Sequence, residues 1–116
     1  MNLRSLIFSV MACSVFQAHA GIKLTCPDLS KNESASGWTI NGSLQQASFN
    51  KVLISMNRVM GSNTVTCQYD APVTLTKIGN FQPAAEGALW QSVNLGGLVF
   101  KQCIATVEVC DFYSAN

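Results

Sequence analysis

The residues best suited to chemistry in this 116-residue chain are its cysteines, its carboxylates and its aromatic side chains. Five cysteines and six Asp and Glu residues occur, but only one histidine, His19. His19 and Cys13 lie within the first twenty residues, which have the features of a removable leader. The chain after that leader, residues 21–116, is called the mature chain, and no imidazole remains in it to act as a base or a metal ligand. Its cysteines are Cys26, Cys67, Cys103 and Cys110.

The mature chain lacks the groups that nucleophilic catalysis usually needs. A Ser or Cys nucleophile is commonly activated by a histidine. Four cysteines in an exported chain predict two disulfides rather than reactive thiolates. No cysteine spacing is the Cys-x-x-Cys pair of a zinc site, and Gly96-Gly97 is typical of a hairpin turn rather than a phosphate-binding loop. We therefore predict a protein that is not an enzyme, with no catalytic, cofactor or metal site.

Paired carboxylates give the one catalytic alternative. Glu108 and Asp111 are close in sequence, and Asp70 and Glu86 lie elsewhere. Two carboxylates that flank a glycosidic bond can hydrolyse it. Such acids are more often ordinary solvated groups, so a small secreted hydrolase is the second hypothesis rather than the first.

The candidate binding residues are aromatic. An exposed aromatic patch would suit a sugar or a protein partner, although two tryptophans in a domain this small are more often core residues. We accordingly expect a protein or a glycan as the partner. The candidates are Trp38, Trp90, Phe112 and Tyr113.

The first twenty residues predict a secretory signal. Arg4 precedes an apolar run at 6–12, and the segment ends in an A-x-A site at 18–20. We predict cleavage after Ala20, which makes the protein secreted or periplasmic. The apolar run is shorter than the ~20 residues that span a bilayer, so we predict no transmembrane segment in the mature chain. Residues 10–13 loosely resemble a bacterial lipobox, which keeps an outer-membrane lipoprotein as an alternative.

The mature chain is expected to form one nearly neutral domain. The whole sequence has seven Lys and Arg and six Asp and Glu residues, and removal of Arg4 leaves equal numbers. A neutral chain lacks the basic surface that nucleic acid requires, so we predict no nucleic-acid partner.

The clearest element in the sequence is a hairpin at Asn63 to Ile78. Val65, Cys67 and Tyr69 alternate with polar residues, residues 70–72 break the run, and alternation resumes after them. Further strands are predicted at 21–26, 38–40, 88–94 and 98–101, with a turn signal at 41–42 and a loop at 82–87. The sequence therefore predicts a mainly β fold, a small antiparallel sheet or sandwich tied by two disulfides.

Residues 43–61 are ambiguous between helix and strand. Phe49, Val52, Met56, Val59 and Met60 recur at helical spacing, and the ends of the segment resemble helix caps. The β-branched, apolar run led by Phe49, Val52 and Ile54 and the weak helix formers around it favour a strand. Taken alone, the pattern slightly favours a helix. An α+β fold with a helix near 44–60 is the alternative. In both cases we expect the Met and Phe stripe to belong to the core.

Four cysteines allow three pairings, of which we favour Cys26–Cys67 with Cys103–Cys110. Cys26 ends a predicted strand and Cys67 lies within another, so lateral pairing of strands can join them. Residues 104–109 look like a strand, which would separate the last two cysteines by roughly 23 Å, whereas a disulfide needs Cα atoms about 5.5 Å apart. The short bridge therefore requires a turn near residues 105–106.

One series of motifs covers nearly the whole mature chain. It runs Thr25-Cys26-Pro27, Trp38, Phe49-x-x-Val52-x-Ile54, Val65-Thr66-Cys67-Gln68-Tyr69, Trp90 and Cys103-x6-Cys110-x-Phe112. By their order and spacing the chain resembles a family of small exported gammaproteobacterial proteins known only as a domain of unknown function. The resemblance implies a mostly β fold and the short terminal disulfide, and it implies no activity.

These observations favour an exported, non-enzymatic binding module. Such a protein would act by contact, as an accessory subunit, an inhibitor or a host-directed factor. The missing catalytic groups, the neutral charge and the open edges of a small sheet all support this hypothesis.

Overall fold

The computed structural model describes residues 21–84 and 89–115, so the predicted signal at 1–20 lies outside the described residues. Within those ranges the chain forms strands joined by turns, with one short 3₁₀ helix at Leu29–Lys31. The strands are β1 (Ile22–Leu24), β2 (Thr39–Gly42), β3 (Phe49–Ser55), β4 (Asn63–Tyr69), β5 (Val73–Gly79), β6 (Phe81–Pro83), β7 (Trp90–Leu95), β8 (Leu98–Cys103) and β9 (Phe112–Ser114).

The strands form two antiparallel sheets, which confirms the predicted mainly β class. The larger sheet has six strands in the order β2-β5-β4-β3-β8-β7, and the smaller has the order β1-β9-β6. The predicted hairpin is β4 and β5, in which Cys67 lies opposite Leu75. The glycine hairpin is confirmed too. Gly96 and Gly97 both have positive φ, as the tight turn between β7 and β8 requires.

The core lies on one face of the larger sheet, where the smaller sheet contributes to it. Alternation along β4 buries Val65, Cys67 and Tyr69 on this face, because neighbouring residues of a strand point to opposite sides. From the smaller sheet, Phe81 and Phe112 meet edge to face with ring centroids 5.9 Å apart, and both belong to the same buried cluster. Polar Thr64, Thr66 and Gln68 of β4 occupy the other face.

The alternative of a helix near 44–60 is wrong, because the middle of this segment is β3. Val52 and Ile54 lie on the core face opposite Cys67 and Val65 of β4, and the strand also pairs with β8. A strand with neighbours on both sides satisfies its backbone and buries its β-branched residues, which outweighs the helical spacing. Val59 and Met60 lie beyond the strand in an exposed loop, so the prediction that they are core residues is also wrong.

Both predicted disulfides are present. The Cα atoms are 5.9 Å apart in Cys26–Cys67 and 5.6 Å apart in Cys103–Cys110. The strand predicted at 104–109 is wrong, since the backbone N–H groups of Val109 and Cys110 both donate to the carbonyl of Thr106 and close a turn. That turn is the one that the short bridge requires.

Two further predictions differ locally from the structure. The turn expected at Asn41-Gly42 is instead the end of β2, where Gly42 has φ +95° and a Cβ there would lie 2.2 Å from the carbonyl oxygen of Pro72. Glycine is needed because the two backbones meet so closely. The loop expected at 82–87 begins with β6, and its remainder falls partly outside the described residues.

Candidate interaction surface

The four candidate aromatics do not form one patch. Phe112 is fully buried in β9, so it is a core residue with no surface to offer a partner. Tyr113 follows it in the smaller sheet and is half-buried. Trp38 precedes β2 and Trp90 begins β7, the two opposite edges of the larger sheet, five strand spacings or about 24 Å apart.

Trp38 and Trp90 are held by different contacts. The ring of Trp38 is half-buried, and Nζ of Lys77 lies 5.0 Å from its centroid, a cation–π geometry. Trp90 is only 9% exposed and packs in the core. Within the described residues its indole Nε1 has no hydrogen-bond partner, although it is buried.

Several carboxylates serve local structure. Asp28 caps the short 3₁₀ helix by accepting from the N–H of Ser30, and Asp70 accepts from the N–H of Ser48 at 2.9 Å. Asp111 forms a 3.2 Å ion pair with Lys23. Glu86 lies outside the described residues. In the described parts of the chain, no group of three or more His, Cys, Asp or Glu could hold a metal ion.

A cluster of exposed apolar side chains lies at one end of the larger sheet. The loop between β3 and β4, the end of β5 and the hairpin between β7 and β8 all reach this end, because the strands alternate in direction. We call it the apolar end. Its members are Val59, Met60, Ile78, Leu95, Leu98 and Val99.

The loop at 56–62 is anchored to its neighbours on both sides. The backbone N–H of Met56 donates to the carbonyl of Val99, and the N–H of Val99 donates to Oδ1 of Asn57, both at 2.9 Å. Arg58 reaches the other way, where its guanidinium donates to the side chain of Asn80 and, at 3.2 Å, to the carbonyl of Phe81. The loop is therefore fixed by backbone and side-chain hydrogen bonds at its base.

Asn63, the first residue of β4, holds the C-terminal end of the same loop in place. Its side-chain amide donates to the carbonyls of Ser55 and Phe81, and its Oδ1 accepts from the N–H of Phe81 at 2.8 Å. This buried amide joins β3, β4 and β6 at the point where the loop begins its return. The hydrogen bonds of the Asn63 side chain therefore fix the position of the loop that carries Val59 and Met60.

Met60 forms the tip of the loop. Val59 and Ser62 exchange backbone hydrogen bonds of 2.8 and 3.1 Å, so Met60 and Gly61 are the two central residues of a tight turn. Both have positive φ, +55° and +82°. Asn or Gly normally takes the first of these positions, because Cβ crowds the following carbonyl oxygen in this conformation. Glycine has no Cβ, and the short polar side chain of Asn offsets the cost with local hydrogen bonds. Met60 is nevertheless 98% exposed, so no packing in the described chain compensates the strain.

A shallow depression lies beside this tip, on the outer face of the larger sheet. Its volume is about 370 Å³. Val59, Ile78 and Leu98 give it apolar walls, while Ser62, Asn63 and Thr64 are among its polar lining residues. Ile78 and Val59 are 75% and 73% exposed, so their side chains stand at the rim and not within the core. The depression and the tip together form one partly apolar surface.

Sequence reasoning missed the apolar end because it placed Val59 and Met60 in a core stripe. One signal was available. Gly61 between two β-branched runs is typical of a hairpin turn when the flanking runs are taken as strands. Contacts from distant segments, such as those of Asn57 and Asn80, have no local sequence signal.

No protein-family model, curated protein or solved structure matches this chain. The resemblance to a family of small exported proteins therefore stays a prediction. Within the described residues, no helix is long and apolar enough to cross a membrane.

Proposed function

We propose that this protein is an exported, non-enzymatic binding module that contacts a partner protein through its apolar end. The observation that carries the proposal is Met60, a fully exposed apolar side chain held in a strained position at the tip of an anchored turn. Strain that folding does not need is often retained at functional sites.

The chemistry of the apolar end suits a protein surface better than a glycan. Its side chains are aliphatic or thioether groups, with no aromatic ring on which a sugar could stack. Methionine adapts its shape to apolar partners and is frequent on binding surfaces. Exposed apolar clusters rimmed by polar groups are typical of protein contacts. Arg58 is the charged residue nearest in sequence to Met60, and its guanidinium donates hydrogen bonds to Asn80 and Phe81 within the chain. The surface offered to a partner is therefore mainly apolar.

Export is part of the proposal. Two disulfides are typical of proteins that fold in an oxidising compartment, such as the periplasm or the extracellular space. Together with the leader features of residues 1–20, they support cleavage after Ala20 and release of the mature chain.

The test is affinity capture with the mature protein and with Met60→Asn. Asn is favoured at the φ of this position, so the variant removes the apolar contact without weakening the fold. Proteins from the native periplasm or culture supernatant would be captured on the two baits and compared quantitatively. We expect a defined partner to be retained by the mature protein and depleted at least tenfold on Met60→Asn, about 1.4 kcal/mol or more of lost contact.

Ile104→Asn is the matched control. Ile104 is also a largely exposed apolar residue, but it lies in the loop of the short disulfide, at the opposite end of β8 from Leu98. This variant should capture the partner as the mature protein does. Equal capture by all three baits would exclude the apolar end as the contact surface. Turnover of a glycan by the mature protein would instead favour the hydrolase hypothesis.

A further inference from the structure

The outer edge of β7 has no neighbouring strand in the described residues. β7 is the last strand of the larger sheet and pairs only with β8, from Trp90 opposite Cys103 to Leu95 opposite Leu98. In a hairpin with a two-residue loop, the residues next to the loop form a hydrogen-bonded pair. Leu95, Val93 and Gln91 therefore bond to β8, and the backbone groups of Trp90, Ser92 and Asn94 point outward.

The hydrogen bonds of β8 agree with this assignment. The carbonyl of Val99 accepts from the N–H of Met56, and the N–H of Val99 donates to Asn57. Val99 therefore turns its backbone groups away from its β7 neighbour, Asn94. Since bonded and non-bonded pairs alternate along an antiparallel ladder, the backbone groups of Asn94 point away from β8, where no other described strand lies.

β7 also lacks the features that keep an edge strand from pairing. Monomeric proteins protect such edges with charged residues, proline, bulges or very short strands. The sequence of β7, WQSVNL, contains no charge and no proline, and its register with β8 is unbroken. The opposite edge is different. β2 has only four residues, Thr39 to Gly42, against the six of β7.

From this asymmetry we propose that β7 pairs with β7 of a second copy of the chain, antiparallel and about a twofold axis, to form one continuous twelve-stranded sheet. A twofold contact uses the same surface on both copies and leaves no β7 edge exposed. The edges that remain are the two short β2 strands. The pairing brings together uncharged strands in a chain whose mature net charge is near zero, so the net charge does not oppose it.

The side chains select the register. Centring the axis on Val93 places Val93 against its symmetry mate, Leu95 against Gln91 and Ser92 against Asn94. The first pair is apolar and the last can hydrogen-bond. Both are favourable cross-strand combinations. Centring the axis on Ser92 would bring two lysines together, because Nζ of Lys101 donates to Oγ of Ser92 at 2.8 Å in each copy.

The proposal is tested by the oligomeric state of the mature, oxidised protein in analytical ultracentrifugation over a wide range of concentration. We expect a dimer for the unmodified chain and for Val93→Thr, which keeps a β-branched, uncharged residue at the axis. Val93→Lys should be monomeric, with an unchanged far-ultraviolet circular dichroism spectrum, because it sets two like charges directly opposite each other. A monomer at every concentration for the unmodified chain would overturn the proposal, as would a dimer of Val93→Lys.

A cysteine cross-link checks the register and does not depend on the folding of the lysine variant. In the proposed register Val93 faces its mate in a non-hydrogen-bonded pair, where Cα atoms are about 4.5 Å apart, within reach of a disulfide. Mild oxidation of Val93→Cys should give a covalent dimer. Thr39→Cys, on the exposed edge strand β2, is the control and should stay monomeric. Equal cross-linking of the two variants would contradict the assignment of β7 as the contact.

Discussion

Met60 combines complete exposure with a left-handed backbone conformation, and these two properties have separate consequences. Exposure makes the side chain available to a partner, while the conformation costs folding free energy. For a residue other than glycine or asparagine the left-handed region costs about 1–2 kcal/mol. The stability of the isolated protein and its capacity to bind should therefore respond in opposite directions at this position.

We expect Met60→Asn to raise the free energy of unfolding by about 1 kcal/mol, since asparagine accepts the φ of +55° more readily. Chemical denaturation of the oxidised mature chain would measure the change. Ile104→Asn replaces another exposed apolar residue that is not among the positive-φ positions, and it should give no gain. An Asn variant that is no more stable than the unmodified chain would show that Met60 is not strained at this turn.

Tyr69 is a buried phenol with one defined partner. Its hydroxyl donates to the carbonyl of Pro27 at 2.7 Å, which joins β4 to the segment beside Cys26. Burial raises the pKa of Tyr69 far above its usual value of 10, and the charges of Asp28 and Glu33 raise it further. The folded chain thus holds the phenol in its neutral form under conditions in which the unfolded chain ionises it.

The resulting stability is complete below about pH 10 and is lost progressively above it, because only the unfolded chain releases the proton there. We expect this single group to lower the free energy of unfolding by up to ~1.4 kcal/mol per pH unit. Denaturation at a series of alkaline pH values should show a shallower decline for Tyr69→Phe. Tyr113→Phe serves as the control and should keep the decline of the unmodified protein. Parallel curves for Tyr69→Phe and the unmodified chain would refute the assignment.

At the scale of elements, sequence and structure agree best where alternation is local. The hairpin of β4 and β5 was predictable because Val65, Cys67 and Tyr69 alternate without interruption, and the Gly96-Gly97 turn because the residue types define it. The structure of residues 43–61 was not predictable, since the preference for a strand over a helix depends on pairing with β4 and β8, which the local sequence does not show. The turn at Thr106 contains no glycine, proline or asparagine, and it lies within the loop that the Cys103–Cys110 disulfide closes.

The candidate site was less predictable than the fold. Aromatic residue type suggested Phe112 as a binding residue, but its burial depends on the smaller sheet, whose three strands are far apart in sequence, at 22–24, 81–83 and 112–114. In the same way, the apolar end joins three separate segments: the loop between β3 and β4, the end of β5 and the hairpin between β7 and β8. Only its tip had a local signal, the Met60-Gly61 pair between two strands.

The two disulfides connect different elements and should differ in their effect on stability. Cys26–Cys67 closes a separation of 41 residues and joins the N-terminal segment to the middle of β4, whereas Cys103–Cys110 closes a separation of 7. In the chain-entropy model these loops contribute about 4 and about 2.4 kcal/mol. Cys67→Ala should therefore destabilise the protein by about 1.5 kcal/mol more than Cys110→Ala, with a further loss from the cavity beside Val65.

Denaturation of the isolated monomeric forms of both variants, under oxidising conditions, would measure the difference. Each variant leaves one unpaired cysteine, Cys26 or Cys103, so disulfide-linked dimers must be removed first. A greater loss for Cys110→Ala would mean that the C-terminal turn, and not the central hairpin, limits the stability of the molecule.

In the whole molecule, the smaller sheet depends on its middle strand. β9 lies between β1 and β6, and within the described residues neither outer strand has another partner in that sheet. Phe112 places its ring against Phe81 and is fully buried. A chain that ends at Asp111 should lose the protection of the β1 amides and of the Gln82 amide in hydrogen exchange, while β4 keeps its neighbours β3 and β5. The Phe81 amide, which donates to Asn63, is the internal control. Full protection of the Gln82 amide in the shortened chain would contradict this dependence.

The central position of β9 also determines the order in which the two sheets can form during export. A polypeptide that crosses a membrane from its N-terminus delivers β1 early, β6 later and β9 after every other described strand. The larger sheet can assemble while the chain is still emerging, and Cys26 and Cys67 are both available for oxidation before Cys103 has appeared. The smaller sheet cannot form until Phe112 to Ser114 have emerged, because β9 pairs with both β1 and β6. In the proposed export, closure of the smaller sheet therefore follows the arrival of β9 on the far side of the membrane.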